Sequence, residues 1–169
     1  VTDHMSPSTF MKYGRELLPW KKKVDFFLRG YKAAKKTANG RIPVLLGMEL
    51  RFNTSEGEND YLVYGVTEEF LIKNRELYNF SHTDFHTFAN DCGMLVIQAH
   101  PFREAWYIDH IRLFPRNVHG VEVINASLTE PENKMAGIYA QNYNLTKFAG
   151  SDNHSASMKK KLAGVCCEE

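Results

Sequence analysis

Asp152 and His154 stand two residues apart, shortly after a short strand-like run at 146–149 and Gly150, which frees the backbone to turn. A carboxylate oxygen and a neutral imidazole nitrogen are hard and borderline donors, a pair that suits zinc, manganese or iron. The same residues also read as an Asx-turn beside a surface histidine. Their weight comes from similar residues at similar positions. His100 follows the apolar run 94–99, His4 follows the opening residues 1–3, and Glu49 lies inside the near-continuous apolar run 42–50. A carboxylate in an apolar strand has to be paired or bound, because burying a lone charge is costly.

The elements that must position these residues alternate between strand and helix. Seven strands are expected, at 1–3, 44–50, 61–66, 94–99, 121–125, 146–149 and 162–167. Several are largely apolar, as in a sheet covered on both faces. Between them the spacing predicts helices over 20–37, 67–78, 81–92, 104–114 and 131–143, with Thr67 and Ser81 as caps and Pro131 near a helix start. Residues 5–19 are mixed and broken by Pro7, Gly14 and Pro19, and the polar stretch 53–59 reads as a loop. His4, Glu49, His100, Asn125, Asp152 and His154 then fall at or near strand C-termini, and Glu122 rides on the strand that ends at Asn125. In a barrel of parallel strands those ends share one rim, where residues distant in sequence meet. Three histidines and two carboxylates meeting there make a metal cluster rather than a proton-transfer pair.

The remaining histidines point elsewhere. His82 and His86 are four apart on a helix but lack the Glu of a His-Glu-x-x-His motif, so they read as surface residues; His110 and His119 read as structural or exposed. The helix over 20–37 carries a dense basic face, with Lys22, Lys23, Arg29 and Lys32 among its bases. With no aromatic platform visible between them, that face reads as solvated.

Length and composition set the frame. A chain of 169 residues with 43% apolar and 12% aromatic content is expected to form a single packed domain over 1–169. A net charge of +1 gives no global pull toward membrane or long nucleic acid. No apolar run approaches a membrane span, and Cys92, Cys166 and Cys167 show no metal-type spacing, so reduced thiols in the cytoplasm are expected. The chain opens without Met and its last apolar run has only begun, so residues are expected to be missing at both ends. It is also short for a complete barrel, which typically needs about 200 residues.

Four motifs in order, Thr2-Asp3-His4, Gly47-Met48-Glu49, Ala99-His100-Pro101 and Ser151-Asp152-Asn153-His154, resemble those of the PHP (polymerase and histidinol phosphatase) domain. The resemblance runs from the first residues to His154. It implies an α/β fold, a distorted (β/α)7 TIM-like barrel, lacking its first strand in this chain. It also implies two or three divalent ions (zinc, manganese or iron) and hydrolysis of phosphoesters. Carried over, His4, Glu49, His100, Asp152 and His154 are metal ligands, with Glu49 bridging; Asn125 resembles a rim position and is not assigned as a ligand.

Two departures stand out. The family's opening His-x-His motif is absent, and where many members place a histidine after Gly-x-Glu this chain has Asp60 or Tyr61. Asp60 is either a substitute oxygen ligand or a loop carboxylate. The implied mechanism is attack on phosphorus by water activated on the ions. Asp3 is expected to orient His4, and Arg103 either holds a phosphate oxygen or forms a surface salt bridge. The expected partner is a phosphorylated small molecule or nucleotide. The alternative is a catalytically inert PHP-like module that binds nucleic acid or protein, favoured by the missing motif and the basic helix.

Overall fold

The computed structural model describes residues 1–53, 59–154 and 161–166. They fall into two compact units, Val1–Val96 and Ile97–Glu169. The chain is mixed α/β, as expected.

In the first unit, β1 (His4–Met5) pairs in parallel with β2 (Gly47–Arg51), and β2 pairs antiparallel with β3 (Asp60–Tyr64). The antiparallel pair corrects the expectation of strands all running one way. A strand returning directly beside its predecessor needs only a hairpin, whereas a parallel return needs a crossover helix. The first strand also begins later than the predicted 1–3, although the Val1 and Asp3 carbonyls already accept from Gly47 and Glu49 N–H groups.

Helix α1 (Pro7–Lys12) lies in the stretch that looked broken. Pro7 is tolerated at its first turn, and the Ser6 hydroxyl accepts from Thr9 N–H at 3.2 Å. The predicted helix 20–37 is two helices, α2 (Trp20–Phe27) and α3 (Arg29–Ala38), meeting at Leu28. The predicted helix 67–78 shortens to α4 (Glu68–Lys73), capped by Thr67, and a separate 3-10 turn at Leu77–Asn79. Helix α5 (His82–Asp91) starts at the Ser81 cap as expected. The core sets Trp20 edge-to-face with both Phe10 and Tyr78, which meet each other at a tilt, and the Trp20 indole N–H donates to the Leu71 carbonyl at 2.7 Å.

In the second unit, β4 (Leu95–Gln98), β5 (Gly120–Asn125) and β6 (Thr146–Gly150) pair in parallel through Ile97 and Gln98 on β4. Helix α6 (Glu130–Asn142) begins at a Thr129–Glu132 capping box. It packs Tyr139 and Ala140 against Val121, Phe102 and Leu145. The helix expected over 104–114 is absent. Gln98 binds that segment as irregular chain, donating to the Arg112 carbonyl at 2.8 Å and accepting from Phe114 N–H at 3.4 Å. Trp106, Ile111 and Leu113 are exposed there, so no buried stripe holds a helix together. Residues 161–166 form no strand either, and Cys167 of the strand predicted over 162–167 lies outside the described residues.

Candidate metal centre

Strand register explains the first group of donors. His4 lies opposite Glu49 on the parallel side of β2, and Arg51 lies opposite Asp60 on the antiparallel side. Glu49 and Arg51 are two apart and share one face of the strand. That face therefore collects His4, Glu49, Arg51 and Asp60. His4 Nδ1 is 3.6 Å from Glu49 Oε2, and one donor atom each from His4, Glu49 and Asp60 lie within 4.8 Å of one another. Glu49 and Asp60 are buried while His4 is partly open. Asp60 is thus a strand residue and not a loop carboxylate. Arg51 forks onto it, Nε to Oδ1 at 2.7 Å and an η-nitrogen to Oδ2 at 2.6 Å. One imidazole and two carboxylates are a donor set that fits zinc, manganese or iron. Asp3 is exposed, and its carboxylate reaches Gly30 of α3, where a Cβ would sit 2.5 Å from Oδ2.

The second unit gathers His100, Arg103, Glu122, Asn125, Asp152 and His154. Glu122 Oε2 accepts from the His100 backbone N–H and from Asn125 Nδ2, both at 3.0 Å. Asn125 Nδ2 also reaches Asp152 Oδ2 at 3.3 Å. Arg103 forms an ion pair with the same Asp152 carboxylate and a hydrogen bond with Tyr107. His154 Nδ1 lies 3.1 Å from Asp152 Oδ1. Burial alone raises Asp152, but Arg103, His100 and His154 outweigh it and hold the carboxyl below its ordinary range. Glu122 moves the other way: burial pushes it up, and Asn125 and His100 offset this only in part. One carboxylate is held ionised beside another with a raised proton affinity.

Two backbone features serve this group. His100 and Asp152 both have positive φ, at 28° and 46°, a conformation that costs energy for residues with a Cβ and that clusters at functional sites. Glu122 pins the first turn through the His100 N–H. Ser127 pins the second, its hydroxyl donating to the Ser151 and Asp152 carbonyls at 2.9 and 3.0 Å. Gly150 gives space rather than turning freedom, since a Cβ there would meet Glu122 Oε1 at 2.6 Å.

The five residues read as metal ligands thus divide between the units: His4 with Glu49 in the first, and His100 with Asp152 and His154 in the second. Sequence reading passed over Glu122 as a strand passenger. Glu122 and Asn125 are three apart and would face opposite sides of a regular strand. A register shift between Glu122 and Ile124 puts both on one side, and no residue type announces it. Arg103 pairs with a carboxylate as one reading expected, but the pair is largely shielded from solvent. His82, expected at the surface, is 7% exposed, and its ring stacks on Tyr61 at 4.5 Å.

A family profile described as PHP-associated matches residues 130–158, which include Asp152 and His154. The fold is similar to the crystal structure of a proposed metal-dependent phosphoesterase from Bifidobacterium adolescentis, with a TM-score of 0.56 over 95% of this chain and 89% of that one, at 12% identity. No curated protein matches the chain.

Proposed function

We infer that this chain, a relative of the PHP family, is a metal-dependent phosphoesterase. The observation that carries the reading is the convergence of His4, Glu49 and Asp60 on one face of β1, β2 and β3. His4, Glu49 and Asp60 would hold metal in the first unit, and His100, Asp152 and His154 in the second. The reading includes the distorted (β/α)7 barrel, two or three ions of zinc, manganese or iron, and a cytoplasmic setting that suits the free thiols of Cys92 and Cys166. Bound ions of this kind make water nucleophilic near neutral pH and offset charge on phosphoryl oxygens.

The protein's own groups supply the rest. Arg103 presents a planar donor fork whose geometry matches a phosphate, steadied by Asp152 and Tyr107. Glu122, with its raised proton affinity, fixes the His100 turn. An open depression of about 640 Å³ bounded by Arg103, Glu104, Ile108, Asp109 and His110 is of a size for a small phosphate ester or nucleotide.

The test combines metal content with turnover. Protein purified without chelator should carry zinc, manganese or iron and hydrolyse a chromogenic phosphoester. His100→Ala should lower kcat/KM by about 100-fold or more. Full metal content and full turnover in that variant would sink the reading.

A further inference from the structure

We propose that the first unit binds single-stranded nucleic acid on a basic, aromatic-lined face formed by α1, the chain that follows it, α2 and the start of α3. Residues 10–38 hold nine Lys and Arg against two acidic residues, Glu16 and Asp25, in a chain whose net charge is only +1. The positive charge is therefore concentrated on one stretch. Lys21 reaches Asp25 at 3.5 Å and Lys32 reaches Glu68 at 2.9 Å. Among the described residues, no carboxylate pairs with Lys12, Arg15, Lys22, Lys23 or Arg29.

The aromatic platform that the linear sequence does not display is assembled by folding. Tyr13, at the end of α1, packs against Phe26 of α2 with ring centroids 5.4 Å apart. The guanidinium groups of Arg15 and Arg29 both lie over the Phe26 ring, at 5.7 and 5.6 Å, and the Lys12 ammonium lies 5.6 Å from the Tyr13 ring centre. Lys22 stands four residues before Phe26, in the same row of the helix. Tyr13 remains 54% exposed, so its ring is open for stacking. Cations interleaved with an open aromatic ring match single strands: phosphates meet the bases of the protein, and unpaired nucleobases stack on Tyr13 and on the Arg planes. A duplex keeps its bases stacked inside and cannot use the ring. An acidic protein surface offers the charge without the stacking faces.

The test is fluorescence anisotropy of a labelled 12-nucleotide single strand in buffer with chelator, which separates this face from any metal-dependent site. Binding should weaken with salt at about −0.7 in log–log slope for each phosphate engaged. Tyr13→Ala should weaken it about ten-fold or more through lost stacking. Arg29→Glu should weaken it further and flatten the salt slope, while Lys134→Glu on α6, with the same change of net charge, should leave it intact. Circular dichroism checks that each variant folds; Lys22→Glu replaces either one that does not. The proposal is overturned if the strand fails to bind at 50 mM salt, if Lys134→Glu weakens binding as much as Arg29→Glu, or if duplex, heparin or anionic vesicles bind as well as the single strand.

Discussion

At the residue scale, His82 shows how burial beside a second histidine moves a proton equilibrium. Its ring is stacked on Tyr61 and edge-on to Phe52, and burial followed by repulsion from His86 lowers its pKa from 6.5 to about 4. The unfolded chain binds this proton near pH 6.5 and the folded chain only near 4, so stability rises with pH across that window. It is fully present above about 6.5, and the loss on acidification is complete below about 4. Denaturant unfolding should show a loss of about 2 kcal/mol between pH 7 and 4, after discounting for solvent screening. His82→Phe keeps the ring in place and should remove that part of the pH dependence; an unchanged slope would assign the effect to another group.

At the element scale, the second unit depends on how closely β5 and β6 approach. Gly150 faces Asn125 in the register, and its missing Cβ makes room for the Glu122 carboxylate. That carboxylate is the far end of a flexible side chain, but its bonds to His100 N–H and Asn125 Nδ2 restrain it. Gly150→Ala should therefore cost about 1–3 kcal/mol as overpacking and release the His100 turn. A thermal melt reads the first effect and turnover of the phosphoester the second. An unchanged melting temperature would mean that Glu122 gives way freely. The lost helix at 104–114 teaches the converse lesson. Gln98 satisfies the backbone of that segment from a neighbouring strand, and a helix without a buried face has little to hold it.

At the scale of the whole molecule, the metal reading makes a thermodynamic demand. A ligand that binds only the folded chain stabilises it by mass action, about 2.7 kcal/mol at a hundred-fold excess over Kd. Chelated protein given zinc or manganese should melt several degrees higher, and magnesium at equal concentration should do less, because imidazole donors favour the transition metals. A melting temperature indifferent to all three ions would argue against metal in either unit. Among the described residues no helix is long and apolar enough to cross a membrane.

Composition and spacing pointed to the α/β class, the Thr67 and Ser81 caps and the helix near Pro131, and four short motifs carried the resemblance to the PHP family. These are local properties: a hydrophobic period, a hydroxyl before a helix, a short motif. The sequence also singled out Glu49, because a carboxylate in an apolar run is an anomaly wherever the chain goes. Pairing decided what remained. Asp60 joins His4 and Glu49 because β2 and β3 run antiparallel in a register that faces it to Arg51. Glu122 and Asn125 share a side because β5 slips register between them. Tyr13 meets Phe26, with Arg15 and Arg29 over the Phe26 ring, only once these helices have packed. Each of these depends on which strand or helix lies alongside, a relation that linear spacing does not encode.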